Sequence, residues 1–320
     1  MKKNVTKTFI GVDVSKDTLA IHLHPQGIYF TVENSAKGIE ELLGKLATHN
    51  VEQIVCESSG GYETLALNLL RSVDYKVWQV DPSRIKAFIR SEGIKAKTDK
   101  SDAAMIALFA SQKSCKYERK GKSEKELKLQ SLVRRKADLV GMIAAEKCRF
   151  KNPSQIEAKS FIKDHISFMQ KQEKLIEKQI INLIENDDEW KRKAQILVSV
   201  PGIGEASVAA LISEMPELGT VTNKQAAALL GVAPYTIESG NYRGVAVIKG
   251  GRSIPRNILF MATMSAVRYN STLKIFYNRL LQAGKRPRVA IVAAMHKLIT
   301  ILNSMLKYGK KWAPPAQAFD

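Results

Sequence analysis

Hydrophobic residues in the first eighty positions alternate between strand-like and helix-like spacing. Runs that are continuously apolar or that alternate with period two predict strands, and stripes with steps of three and four predict helices. The pattern predicts strands over residues 8–14, 18–24, 28–32, 53–56 and 76–80, helices over residues 36–48 and 62–72, and a further helix beginning at Pro82. Three strands followed by alternating helices and strands indicate an α/β domain.

Beyond this domain the pattern changes to two long helical stripes, over residues 129–143 and 162–183. Both have charged outer faces, and the second keeps heptad-like steps. They predict either a coiled coil, antiparallel or formed between molecules, or a helical hairpin packed on its own domain. We therefore expect an α/β domain over residues 1–115, a helical coiled-coil linker over residues 116–190 and a mainly helical domain over residues 191–320.

Four carboxylates stand out against the predicted elements. Asp13 lies inside an apolar strand and Glu57 ends another. A carboxylate in a buried strand loses its hydration, so it needs a compensating charge or hydrogen bonds. Asp99 and Asp102 are three residues apart at a helix start after Thr98; taken alone, this pair is explained by the helix dipole. The element order is also that of ribonuclease H-like domains, in which strands one and four end beside a helix with further acids. Together the four predict a site for Mg²⁺, with Mn²⁺ as an alternative.

The charge balance indicates a polyanionic partner. The 320 residues include 50 Lys or Arg and 31 Asp or Glu, which gives a formal net charge of +19. Residues 241–319 contain no acid at all and 14 basic residues. Such a segment favours nucleic acid over a membrane surface as the partner, and we expect it to contact phosphates.

The sequence predicts a cytoplasmic protein without a membrane segment. No apolar run reaches 18 residues, and charged residues interrupt the N-terminus, so no signal peptide is expected. The cysteines, Cys56, Cys115 and Cys148, have unrelated spacings. Those spacings exclude a disulfide framework and a zinc pattern.

Two features of the last third indicate contacts with a DNA backbone. Gly202 and Gly204 lie in a turn between predicted helices that resembles a helix-hairpin-helix, where glycines let backbone amides approach a phosphate. A tight helix–helix turn without nucleic acid is the alternative. Four cations would hold a scissile phosphate and stabilise charge that develops on it: Arg243, Lys249, Arg252 and Arg256.

The order of short motifs along nearly the whole chain resembles the Piv-type DEDD transposases of bacterial insertion sequences, the "IS one-ten" family of bridge-RNA-guided recombinases. Each motif is weak alone, but their order and spacing together are highly specific. The matching blocks are Ile10–Lys16, Val55–Tyr62, Arg90–Gly93, Lys97–Ala103, Pro201–Gly204, Leu230–Pro234, Glu238–Gly240, Arg243–Gly244, Lys249–Gly251 and Arg256.

The resemblance implies roles for five residues. Asp13, Glu57, Asp99 and Asp102 would be the DEDD metal ligands of a RuvC-like domain. Ser239, which from its own neighbours reads only as a turn residue, would be the nucleophile of a C-terminal transposase domain and would form a phosphoserine link to DNA.

The resemblance also implies the partners. They would be donor and target DNA, a structured noncoding bridge RNA that pairs with both, and further copies of the chain in a homodimer or homotetramer with composite active sites. The function would be site-specific recombination that moves an insertion sequence.

Two other classes of function stay open at this point. One is a metal-dependent nuclease, such as a Holliday-junction resolvase, in which water attacks and Ser239 is a turn residue. The other is a nucleic-acid-binding protein without catalysis, which leaves Asp13 and Glu57 unexplained.

Overall fold

The computed structural model describes residues 6–93, 98–114, 121–152, 157–236, 238–239, 242–244 and 246–314; for residues 238, 239, 242 and 243 it describes the backbone. The chain divides into two compact units, residues 1–123 and 124–320. The long helices predicted for residues 116–190 thus belong to the same unit as the basic C-terminal segment. The predicted division into three domains stays a prediction.

The first unit is a five-stranded mixed sheet with helices, as the α/β pattern predicts. Its elements are β1 Lys7–Val14, β2 Thr18–His24, β3 Ile28–Glu33, α1 Ala36–Leu46, β4 Asn50–Glu57, α2 Thr64–Ser72, β5 Val77–Val80, α3 Pro82–Ser91 and α4 Asp99–Gln112.

The strand order across the sheet is β3-β2-β1-β4-β5. β1 pairs antiparallel with β2 and parallel with β4, and β5 continues the parallel half. Since β2 and β3 are also antiparallel, β3 runs in the same direction as β1. The carboxyl ends of β1, β3, β4 and β5 therefore lie at one edge. This mixed arrangement fits a ribonuclease H-like domain.

Each face of the sheet is covered by different helices. Ile10, Val12, Ile54 and Cys56 point to the face covered by α1 and α2. Val55, on the opposite face, belongs to a core built with α3 and α4. Strand alternation explains the division, because successive side chains point to opposite faces.

The second unit is mainly helical. Its elements are α5 Glu124–Lys151, α6 Lys159–Glu185, α7 Asp188–Val198, α8 Glu205–Glu214, α9 Asn223–Leu230, β6 Pro234–Tyr235, β7 Glu238–Ser239, β8 Tyr242–Arg243, β9 Val247–Ile248, α10 Ser253–Tyr269, α11 Ser271–Gln282 and α12 Pro287–Tyr308.

Helices α5 and α6 pack against each other in antiparallel directions. Lys136 on α5 forms an ion pair with Glu177 on α6. The ring Nδ1 of His165 lies 3.6 Å from the carboxylate of Glu146. The start of α5, with Leu129, and the end of α6, with Ile184, are part of the hydrophobic core of the unit. Within one chain this is the helical hairpin that the sequence left as one alternative; pairing between molecules stays a prediction.

Helix α12 is long and apolar enough, by length and composition, to cross a membrane. The uninterrupted apolar run of residues 289–295 is shorter than 18 residues, but the helix continues through His296 and Lys297. Half of its most apolar stretch is buried inside the unit. Ala294, Leu298 and Leu302 are fully buried there, so α12 packs as a core helix.

Residues 234–235, 238–239, 242–243 and 247–248 form short strands that the sequence pattern did not predict. β6 pairs with β9, and β7 pairs with β8. Each strand is two residues long, too short for hydrophobic alternation to be detected.

Candidate active site

Asp13 and Glu57 occupy equivalent positions at the ends of two neighbouring strands. Val12 of β1 is paired with Cys56 of β4, so Asp13 and Glu57 come next on parallel strands. Alternation places both on the same sheet face as Val55, the face that α4 covers. Both residues are partly buried.

Asp99 and Asp102 lie in the first turn of α4, which begins directly after the N-cap residue Thr98, as predicted. The Thr98 hydroxyl accepts a hydrogen bond from the backbone N–H of Ser101 at 3.2 Å, and the Ser101 hydroxyl accepts from the N–H of Thr98 at 2.8 Å. This reciprocal cap fixes where the helix begins. Asp99 is exposed and Asp102 is partly buried.

The direction of α4 brings its first turn to the edge where β1 and β4 end. Gln53, near the start of β4, donates to the backbone carbonyl oxygen of Lys113 at 3.0 Å, just past the last turn of α4. At the middle of β1, α4 packs directly on Gly11 through Ala103 and Ala107. The helix therefore runs opposite to β1 and β4, and its N-terminus lies toward their carboxyl ends.

The four acids come from three elements that meet at one edge of the sheet, and their hard oxygen donors have the chemistry that suits a divalent cation. Within the described part of the chain, which includes all four, no three Asp, Glu, His or Cys side chains form a group that could hold a metal ion. The fold thus brings the backbone positions together, while the carboxylates are not drawn into one ligand group.

Glu63, which the sequence pattern did not single out, is a buried carboxylate in the segment after Glu57; only 5% of it is exposed. Burial would raise the pKa of its carboxyl. Hydrogen bonds from its own backbone N–H and from Ser59 and Gly61 oppose this effect, and together they lower the pKa below the ordinary value. Glu63 is therefore a charged acceptor inside the loop that follows β4.

Ser239 lies in the second unit, at the end of β7. Its backbone pairs with Tyr242 of β8 in an antiparallel arrangement. Ser239 is thus in extended backbone, at a place where the sequence alone indicated a turn. The role of Ser239 stays a prediction.

Arg252 makes its contacts inside the protein. Its two terminal nitrogens donate to the two carboxylate oxygens of Glu217 at 2.8 and 2.6 Å. One of them also donates to the backbone carbonyl of Glu214. This use of the guanidinium favours a structural role for Arg252 over the predicted phosphate contact.

The other predicted cations differ in their surroundings. Arg256 donates to the backbone carbonyl of Gly250 at 2.6 Å and so ties down the turn before α10. Lys249, in that same turn, is exposed. For Arg243 the structure gives only the backbone, which pairs with Glu238.

The two glycines of the predicted helix-hairpin-helix turn have different surroundings. Gly202 has φ +98°, and a Cβ there would lie 2.5 Å from backbone atoms of Ala266. Its smallness is thus required by packing against α10, as in the tight-turn alternative. Gly204 is exposed, precedes the first residue of α8 and has open space around it. Only Gly204 has the free surroundings that phosphate contact requires.

Comparison with known proteins gives matches along most of the chain. A family model described as a transposase, of the DEDD and IS110 type, matches residues 10–153, and one described as "Transposase IS116/IS110/IS902 family" matches residues 194–278. The first range contains the four acids and the second contains Ser239.

Two curated relatives extend over nearly the full length. The pilin gene-inverting protein of Moraxella bovis is 28% identical over 319 residues, covering 96% of this chain and 98% of the relative. The pilin gene-inverting protein of Moraxella lacunata shows the same identity and coverage. Both halves of the chain thus resemble one kind of protein in the same order, and the chain belongs to the IS110-type transposase family, whose members are enzymes of DNA recombination.

Proposed function

We propose that this transposase is a site-specific recombinase that moves an insertion sequence under the guidance of a noncoding bridge RNA. It would cut and rejoin DNA strands through a phosphoserine at Ser239. The observation that best supports the proposal is that the three elements bearing Asp13, Glu57, Asp99 and Asp102 come together at one sheet edge. Neither a purely structural domain nor a simple basic binding protein needs four acids there.

The acids would hold Mg²⁺, or Mn²⁺ in its place, next to the scissile phosphate. The bound cation would supply positive charge that stabilises the phosphate as charge develops on it. Asp13 and Glu57, fixed by paired strands, would provide the rigid half of the ligand set. Asp99 and Asp102, on the first turn of α4, would provide the other ligands, whose positions depend on how α4 packs on the sheet.

Ser239 would attack the phosphorus through its hydroxyl oxygen. The Oγ–P bond forms while the bond from phosphorus to the 3′ oxygen breaks, and the hydroxyl proton passes to the 3′ oxygen. Attack by the 3′ hydroxyl of another strand reverses these steps and releases the serine. The bond energy is thus kept, so rejoining needs no nucleotide cofactor.

The acids and Ser239 belong to different compact units. Composite sites in a homodimer or homotetramer would allow the Ser239 of one protomer to work with the acids of another. The basic residues of the second unit, with Lys249 among the exposed ones, would hold the strand. DNA is the substrate that the family implies, and the bridge RNA would choose the donor and target sites.

Trapping the covalent adduct tests this proposal. Labelled DNA is incubated with the protein, RNA and Mg²⁺, and the products are separated under denaturing conditions. The wild type should carry label on the protein, and Ser239→Ala should lose both adduct and recombination. Ser271→Ala, an exposed serine of the same unit, should behave as wild type.

The nuclease class predicts a different outcome. If Ser239→Ala cleaves DNA at a near-native rate and no adduct forms with the wild type, water is the nucleophile. Strand cleavage that survives Asp13→Asn would remove the metal site from the mechanism altogether.

A further inference from the structure

The loop that follows Glu57 is held by a single buried carboxylate. Glu63 Oε2 accepts hydrogen bonds from the backbone N–H of Ser59 at 3.1 Å, the hydroxyl of Ser59 at 2.9 Å and the backbone N–H of Gly61 at 2.9 Å. These donors lie two to four residues before Glu63, so the carboxylate closes the loop on itself. The loop starts directly after the proposed metal ligand Glu57.

The same carboxylate connects the loop to the sheet. Glu63 Oε1 accepts from the side-chain amide of Gln79 at 2.7 Å. Gln79 lies on β5 opposite Cys56, the residue before Glu57. In addition, the backbone N–H of Ser58 donates to the carbonyl of Val80 at 3.0 Å. The path of the chain just after Glu57 is therefore fixed from two sides.

A second residue links this loop to the end of β1. The side-chain amide of Asn34 donates to the backbone carbonyls of Ser15 and Tyr62, each at 3.0 Å. Ser15 comes two residues after Asp13, and Tyr62 belongs to the loop after Glu57. Asn34 itself follows β3, whose carboxyl end lies at the same edge of the sheet.

The side chains of Glu63 and Asn34 thus connect the loop after Asp13 and the loop after Glu57 in one hydrogen-bonded framework. A tight turn can be closed by backbone or neutral groups, whereas a buried carboxylate carries a desolvation cost that its donors must offset. That cost indicates that the geometry of this loop matters beyond closing a turn. In metalloproteins, residues that orient the metal ligands are themselves held by such hydrogen bonds, and their loss weakens metal affinity or activity by about 10- to 100-fold.

We propose that Glu63 and Asn34 are positioning residues that hold the chain after β1 and β4 so that Asp13 and Glu57 present their carboxylates to one divalent cation. This inference rests on the proposed function, because it assumes that those two acids bind metal. Neither residue contacts DNA in this proposal.

The test measures Mn²⁺ binding to the full-length protein by isothermal titration calorimetry, which needs no turnover. Glu63→Gln keeps the size of the side chain but replaces the carboxylate that accepts from Ser59, Gly61 and Gln79. Asn34→Leu has similar size and removes both amide donors. Each variant should bind Mn²⁺ about 10- to 100-fold more weakly than the wild type. Thermal unfolding without metal verifies that each is folded.

A matched control lies on the same strand. Glu52, on β4 at the end away from Glu57, forms an ion pair with Lys7 at 2.9 Å. Glu52→Gln therefore makes the same chemical change outside the proposed framework and should leave Mn²⁺ affinity within twofold of wild type. If Glu63→Gln fails to fold, the Asn34→Leu result decides.

The activity assay adds a second readout. If Glu63 positions a metal ligand, strand cleavage by Glu63→Gln should need about 10- to 100-fold more Mg²⁺ and should return toward the wild-type rate when Mg²⁺ is raised. A loss that Mg²⁺ does not rescue, together with unchanged Mn²⁺ affinity, overturns the positioning role.

Asp13→Asn separates this inference from the proposed function. If Asp13→Asn loses Mn²⁺ binding while Glu63→Gln and Asn34→Leu keep it, only the positioning role is wrong. If Asp13→Asn binds Mn²⁺ as the wild type does, the proposed metal site itself is wrong, and the positioning role is overturned with it.

Discussion

Gly11 of β1 lies so close to helix α4 that a Cβ at this position would be 2.2 Å from the carbonyl oxygen of Ala103. The same Cβ would be 2.3 Å from the backbone nitrogen of Ala107. Strand and helix are therefore in backbone contact two residues before Asp13 and one residue after Asp102. The distance between the acids of the strands, Asp13 and Glu57, and those of the helix therefore depends on this contact.

Replacing Gly11 with Ala should displace α4 from the sheet. Backbone atoms cannot move aside as a side chain does, so we expect a loss of about 1–3 kcal/mol in the free energy of unfolding, with recombination reduced further than stability alone explains. Urea unfolding and a recombination assay measure the two effects. Gly44→Ala, a helical position with open space around it, should be neutral or stabilise by up to about 1 kcal/mol.

Asp102→Asn should abolish recombination and leave the protein folded. An amide oxygen cannot supply the charge of a carboxylate ligand, and a loss of several kcal/mol in stabilising the transition state corresponds to about a 10³-fold lower rate. Circular dichroism and a DNA-binding assay should show a wild-type fold and near wild-type affinity. Asp164→Asn, on the exposed surface of α6, is the matched control; Asp102→Asn with full activity would exclude a ligand role.

Binding to DNA should depend steeply on salt. If the basic segment makes 6–10 phosphate contacts, affinity should fall by about 10³- to 10⁵-fold between 50 and 200 mM salt. Lys249→Gln should weaken binding uniformly across sequences and lower the salt slope by about one. A slope near zero in fluorescence anisotropy titrations would contradict phosphate contact by this segment.

Arg252→Met should act on stability rather than on the salt slope. It removes a paired, partly buried guanidinium and that group's two hydrogen bonds to Glu217, so we expect a loss of about 1–3 kcal/mol in the free energy of unfolding. A double-mutant cycle with Glu217→Gln should show coupling between the two changes. An unchanged unfolding free energy together with a lower salt slope would instead restore the phosphate role.

Glu63 should make the stability of the first unit depend on pH. Its pKa is below the ordinary value of 4.5 in the folded protein, so its ionised form favours folding. The stability difference between wild type and Glu63→Gln should be largest at neutral pH, shrink as the pH falls below the ordinary value of 4.5, and level off once the folded carboxyl is protonated. Urea unfolding at several pH values measures this; a difference that grows on acidification would contradict the assigned shift.

The sequence predicted those parts of the fold and site that depend on local pattern. Hydrophobic periodicity located the five strands, and strand alternation explains why Asp13 and Glu57 share a face. The capping signal at Thr98 located the start of α4. In each case the residues that decide the outcome are neighbours along the chain.

The remaining features depend on partners far apart in sequence. Arg252 looked like one more surface cation, because its partner Glu217 is 35 residues away. Asn34 looked like a residue between elements, because its hydrogen bonds reach carbonyls 19 and 28 residues away. The sequence suggested that Gly202 contacts phosphate, because the packing of Ala266 against it brings together residues 64 positions apart.

The pairing of β1 with β4 limits how the length of this chain can vary. Because side chains alternate, one inserted or deleted residue between Gln53 and Glu57 would turn Glu57 toward the opposite face, beneath α2. An added residue in the turn between β2 and β3 would leave both strands unchanged. Gaps in an alignment of active relatives should therefore be absent from residues 53–57 of β4, and an aligned copy with a gap there would mark an element that no longer moves.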